Sequence, residues 1–270
     1  MDSGNNQLVK KTPKEQREIL NAAMQAGHIL LENGAEIFRV EETMDRICWH
    51  FDIESGSSFV LSNGIFTTAG SGREEIFAKV QHIPVGTTHL ERVTAVNQLS
   101  REMIEKSLTL DEVKDRLDEI QVMPGKPNIH KILASGVGSA CFCYLFGGNG
   151  TDSMATFFTG LILYWYVLYI SKPHLSKLVG NIGGGALITI LCAVFFQLGF
   201  GDHLNYMIIG AIMPLVPGVA FTNSIRDIVD GDYIAGSVRM LDALLVFFCI
   251  AMGVGLVYSV FQQITGGFLL

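Results

Sequence analysis

Residues 213–239 read MPLVPGVAFTNSIRDIVDGDYIAGSVR. An apolar segment runs into Pro214, Pro217 and Gly218, then passes straight into Thr222, Asn223, Arg226, Asp227, Asp230 and Asp232. A proline inside a helix costs about 3 kcal/mol and frees a backbone carbonyl. In hydrocarbon such freed groups persist only where protein or a wet cavity satisfies them. The stretch predicts a broken helix beside polar side chains, which points to a solute pathway more than to a plain anchor.

Outward from this stretch, the chain divides sharply. It has 270 residues, a net charge of -7 and 49% hydrophobic residues. Of its 19 Lys and Arg, 15 lie at or before Lys131, and of its 26 Asp and Glu, 20 lie before Met123. A polar α+β domain over 1–125 and an all-α membrane domain over 126–270 are expected, each long enough to fold as a unit. The start, MDSGNNQLVKKTPKEQ, has no apolar core, so no cleavable signal peptide is expected. The five cysteines form no CxxC pair and read as small buried apolar residues rather than a disulfide or zinc framework. The acidic balance argues against nucleic acid as a partner.

Five apolar runs follow Pro127, at about 130–147, 153–170, 178–199, 204–221 and 240–262. Each has about the length that crosses a ~30 Å hydrocarbon layer. The loops at 147–152 and around Gly201, Asp202 and His203 lack Lys and Arg, whereas Lys126, Lys131, Lys172, Lys177, Arg226 and Arg239 fall on the opposite side. By the positive-inside rule that side, with the N-terminus, is cytoplasmic, and after five crossings the C-terminus is outside. This reads as a multi-pass protein of the plasma (inner) membrane. Asn149-Gly150-Thr151 matches a glycosylation acceptor, a short and common pattern. Gly136 and Ala140, and Gly180 and Gly184, are spaced to let helices approach closely in lipid.

In the polar domain, Thr12-Pro13-Lys14-Glu15 reads as a capped helix start, and Asn33-Gly34 as that helix's end. A second helix is expected over about 36–51. A small antiparallel sheet follows, with a hairpin at Asn63-Gly64 and a third strand over 76–83. Two further helices are expected near 89–107 and 111–121. In GAEIFRVEET (34–43), Glu36, Arg39, Glu42 and Thr43 share a helix face. The spacing fits either a solvated face with weak ion pairs or a docking or gating surface. Gly70-Ser71-Gly72 is weak as a phosphate cradle, since no Lys-Ser or Lys-Thr follows. Histidines 28, 50, 82, 89, 130, 174 and 203 are scattered, Ser57 and Ser58 have no visible base, and no metal or cofactor motif is present. A membrane-anchored hydrolase or a scaffold remain as alternatives to transport.

A charge at the bilayer centre costs about 2.5–3.5 kcal/mol on insertion scales. Arg226, Asp227, Asp230 and Asp232 are therefore expected at the cytoplasmic edge or in a hydrated vestibule, with Thr222 and Asn223 deeper and the Pro214–Gly218 break deeper still. Asp242, three residues after Arg239, reads either as that arginine's partner at the interface or as a titratable acid coupling protons to solute.

GAEIFRVEET and the later PGVAFTNSIRDIVDGDYIAGSVR together resemble the threonine/serine exporter family, in its YjjP-type branch. The resemblance covers essentially the whole chain. It implies export of small amino acids such as threonine and serine, or of a dicarboxylate such as succinate; separately, no cofactor is expected. Carried over residue by residue, it implies a functional set of Pro217, Gly218, Thr222, Asn223, Arg226, Asp227, Gly231, Asp232, Gly236 and Arg239. A cytoplasmic set would comprise Glu36, Arg39, Glu41, Glu42 and Thr43. It also implies a second, smaller YjjB-type membrane partner in split systems, and oligomers are open. The chain supports a split system independently, because repeat-built transporters carry paired interrupted segments and only one is visible here.

Overall fold

The computed structural model describes residues 11–53, 57–69, 77–83, 88–171 and 174–265. Gly70-Ser71-Gly72, Ile76 and Lys172 lie outside them. Among the described residues the fold is mostly helical, with one small sheet. It divides into two compact units, one joining the chain up to Gly125 with Thr222–Arg239, the other Lys126–Phe221 with the chain from Met240.

In the first unit, α1 (Pro13–Glu32) starts at Thr12, whose hydroxyl accepts from Glu15 N while Glu15 Oε2 accepts from Thr12 N at 2.8 Å. This reciprocal box satisfies donors that a helix start otherwise leaves orphaned. Ile19, Ala23, Ala26 and Leu30 repeat at helical spacing and are buried. The helix ends at Gly34, whose φ of +84° suits a residue without Cβ. There Ala35 N–H donates to Leu30 O at 3.0 Å and Gly34 N–H to Leu31 O at 3.2 Å.

Helix α2 (Ile37–His50) then leads to β1 (Ser57–Leu61), β2 (Gly64–Ala69) and β3 (Phe77–His82), an antiparallel sheet in sequential order. Leu61 pairs with Gly64 across the expected Asn63-Gly64 turn. Alternation sends Val60 and Ile65 into the core and leaves Phe59, Phe66 and Val80 exposed on the other face. Helices α3 (Leu90–Lys106) and α4 (Leu110–Gln121) complete the layer, α4 opening on a second capping box between Thr109 and Glu112.

The second unit contains α5 (Asn128–Leu145), α6 (Gly150–Tyr166, continued by a π-turn over Val167–Ser171), α7 (Lys177–Gln197) and α8 (Leu204–Ile212). Small residues set its packing. Ser135 Oγ donates to Gly160 O at 2.9 Å, and Gly210 lies against the Cys143 backbone. After α8 the chain makes a 3₁₀ turn over Met213–Leu215, extends at Val216, and restarts as α9 (Gly218–Val229), bent by 64° from the preceding helix. Helix α10 (Tyr233–Ile264) runs 32 residues.

Among the described residues, three helices can cross a membrane by length and composition, Gly150–Ser171, Lys177–Gln197 and Tyr233–Ile264, or up to four if the bent pair is one span. Helix α5 is not among them, since Asn128, His130 and Lys131 make its first turn polar. The expected run at 240–262 is part of a longer helix whose first seven residues belong to the other unit.

Gly185 carries a test of this packing. A Cβ there would stand 2.6 Å from Ile250 O, whereas one at Gly138 meets nothing within 4 Å. Gly185→Ala is expected to destabilise by about 1–3 kcal/mol. Gly138→Ala is expected to be neutral or slightly stabilising, and thermal unfolding of both in detergent checks the difference.

Candidate functional site

The turn between α1 and α2 exposes four backbone groups that its own helices cannot satisfy, and each finds a partner. Asn33 O accepts from His89 N–H at 3.2 Å. Gly34 O accepts from Asn223 Nδ2 at 3.0 Å, and Ala35 O from Arg239 Nη1 at 3.0 Å. Ile37 N–H, the first donor of α2, is taken by Asp227 Oδ1 at 3.0 Å. Glu36 stands at the N-cap position of α2 but makes no side-chain cap, so Asp227 supplies the carboxylate that a helix N-terminus favours.

Asp227 is fully buried, and its second oxygen accepts from Arg239 Nη1 at 2.9 Å. The two sequence motifs, about 190 residues apart, are therefore one constellation within the first unit. Arg226, on the next position of α9, reaches Glu36 Oε1 at 2.8 Å and lies over the Phe38 ring at 5.1 Å. Glu36 Oε2 holds Arg39 Nε at 2.6 Å. Arg226 remains half-exposed, so this pair is open to water while Asp227–Arg239 is not.

A second glycine turn positions these side chains. Gly231 has φ +101°, Asp232 N–H donates to Asp227 O at 2.8 Å and Gly231 N–H to Ile228 O at 3.2 Å. Gly236 lets α10 close on α9, since a Cβ there would stand 2.9 Å from Ser224 O. Pro214 lies in the 3₁₀ turn, and Pro217 O accepts from Phe221 N–H at 2.9 Å as α9 restarts. Gly218 is exposed with nothing within 4 Å of an added Cβ. Thr222 and Asp230 lie on the exposed side of α9, Asp230 Oδ2 4.0 Å from Arg226 Nε. Asp242 does not pair with Arg239; its partner is Lys177, while Arg239 is held by Asp227 and Ala35 O.

The remaining motif residues separate. Glu41 turns to the sheet and accepts from Val60 N–H, on the outer edge of β1, at 2.9 Å. Burial pushes its carboxyl above the ordinary value, against the Val60 hydrogen bond, and the charges of Asp232 and Asp45 add to the rise. Burial also raises Asp45, and it raises Asp232 with Asp230 adding. Glu42 pairs with Arg46 at 2.6 Å, and Thr43 is buried.

Sequence reading missed Asp152. It is fully buried in the second unit and accepts from Asn149 N–H, Asp202 N–H and His203 N–H, with His203 Nδ1 2.9 Å from its Oδ2. Asn149 caps α6, accepting from Asp152 N–H at 2.8 Å, so a capping box accounts for the Asn-Gly-Thr-Asp spacing.

Asp227→Ala would strand a largely covered guanidinium and a helix-start N–H. Loss of one partner of a buried pair costs about 3–5 kcal/mol. Asp227→Asn, which can still accept from Ile37 N–H, is expected to cost less, and thermal unfolding of the detergent-purified chain ranks the two. Glu41 gives a pH test. Its folded carboxyl binds protons more tightly than the unfolded one. The stability it contributes is thus full below the ordinary carboxylate value and is lost as pH rises through the folded value. Glu41→Gln keeps an acceptor for Val60 N–H and is expected to raise the unfolding midpoint at pH 8 but not at pH 4.

Comparison with known proteins agrees with these motifs. Residues 21–261 match the family model described as "Putative threonine/serine exporter". The chain is 25% identical over 243 residues to "Probable succinate transporter subunit YjjP" of Escherichia coli, covering 89% of this chain and 94% of that protein. It is 24% identical over 241 residues to the protein of the same name from Klebsiella aerogenes, covering 89% and 93%. "Pheromone-regulated membrane protein 10" of Debaryomyces hansenii is 22% identical over 181 residues, 64% of this chain and 18% of that one. No solved structure matches. With nine-tenths of its length matched by the model and both motifs inside the match, the chain belongs to the threonine/serine exporter family.

Proposed function

We propose that this chain is one subunit of a secondary exporter that moves small polar metabolites out of the cytoplasm, either threonine- and serine-type amino acids or a dicarboxylate such as succinate. The observation that carries the reading is the helix that breaks at Pro214–Gly218 and restarts directly into Asn223, Arg226 and Asp227. The restart places the positive end of a helix dipole at the break, a device that suits an anionic group on a solute. Arg226, half-exposed between Glu36 and Phe38, offers a guanidinium fork for a carboxylate, and Asn223 offers an amide. Thr222, Asp230 and Asp232 line the approach in this reading, with the first unit on the cytoplasmic side.

A second membrane half, of the YjjB type, belongs to the proposal. It rests on the single interrupted segment among the described residues and on the word "subunit" in the names of the two bacterial relatives. Asp242 is the proposed coupling acid. Its protonation would release Lys177, which gives proton entry a mechanical consequence.

The test is flux of labelled serine, threonine and succinate in proteoliposomes, with and without the candidate partner, across a pH gradient. Asn223→Ala and Arg226→Ala are expected to lower flux at least tenfold in chains that insert normally, and wild-type flux in both would overturn the assignment. Asp242→Asn is expected to abolish the dependence of flux on the pH gradient.

A further inference from the structure

A cavity of about 130 Å³ opens between α2 and α3 in the first unit. Three arginines line it, Arg39, Arg46 and Arg101, against a single acidic residue, Glu42. The rest of the wall is polar, with Asn97 and the two buried hydroxyl residues Thr43 and Ser100. We propose that this cavity is a binding site for a small dianion of the phosphate or dicarboxylate class, separate from the break in the α8–α9 helix.

The charge arrangement argues for an anion. The chain as a whole carries -7, so three converging arginines are a local reversal of sign. Their charges are only partly spent. Arg46 gives Nη2 to Glu42 at 2.6 Å, and its Nη1 reaches Ser100 Oγ only at 3.4 Å. Arg39 commits Nε to Glu36. Arg101 makes no ion pair among the described residues. Guanidinium forks match carboxylate and phosphate oxygens in pairs, and a ligand bridging two of them gains geometry as well as charge.

Size narrows the class. At about 30 Å³ per water, the cavity has the volume of roughly four waters. That suits a phosphate or a short dicarboxylate and not a nucleotide base. The position adds a consequence. Arg39 is shared between the cavity and Glu36, and Glu36 also holds Arg226. An anion that engages Arg39 draws on the guanidinium that helps fix Glu36, and so acts on the contact between α2 and α9.

The inference does not depend on the transport reading, and its readout is binding rather than flux. Sodium phosphate and disodium succinate are titrated separately into the full-length chain in detergent at low chloride, by calorimetry. Saturable binding of at least one, weakened fivefold or more by Arg101→Gln, is the expected result. Phosphate alone, succinate alone or both identify the source of the dianion. No binding of either, or a loss smaller than fivefold, overturns the proposal. The unfolding midpoint without anion shows that the variant folds, and Arg101→Lys, which keeps the charge but loses the fork, replaces it under the same threshold if it does not.

Discussion

The carboxylate of Asp227 is the point on which the first unit closes. It is fully buried, and a buried carboxylate persists only when charge and lone pairs are matched. One oxygen receives the first N–H of α2, and the other receives Arg239. Arg239 in turn satisfies Ala35 O, a carbonyl left over by the turn that ends α1. No member can be withdrawn without stranding a donor or acceptor on another. The pair therefore joins two helix hairpins, α1–α2 and α9–α10, each turned by a glycine at positive φ.

That closure reaches far along the chain. Helix α2 has no side-chain cap of its own, and its cap comes from position 227. The first 125 residues thus contain a helix start that stays incomplete until the chain has passed through α5–α8 and returned. Loop closure over such a distance costs entropy that only later contacts offset. Ala235 joins the same hydrophobic core as Ile19 and Leu30, so apolar burial supports the return as well as charge.

Much of the local structure was legible. Thr12 to Glu15, Asn33-Gly34 and Asn63-Gly64 each carry their geometry in adjacent residues, and the helix and strand they bound follow within a few positions. The helix break at Pro214–Gly218 was legible for the same reason. What escaped was pairing across distance. Arg239 and Asp242 sit three apart, which suggested a pair, yet a helix presents many such neighbours. The choice went to Asp227, where burial makes the interaction stronger than a surface contact at i,i+3. Glu36, Arg39 and Glu42 do form short-range ion pairs, as spacing allowed, but nothing in the spacing showed that Glu36 also meets Arg226. Asp152 was hidden because its role depends on backbone donors from residues 202 and 203.

The geometry also changes how the motif residues should be weighed against one another. Asp227, Arg239, Gly231 and Gly236 are occupied in holding the hairpins together, so replacing them is expected to act through the fold, without a solute. Arg226 is different. Its pair with Glu36 is half open to water, and exposed pairs are worth only about 0–1 kcal/mol. A fold that needs so little from Arg226 leaves its guanidinium available, and the same holds for Asn223, whose bond to Gly34 O is an ordinary neutral contact. Within this stretch of α9, the buried residue builds the joint, and its partly exposed neighbours are the ones the proposed solute site draws on.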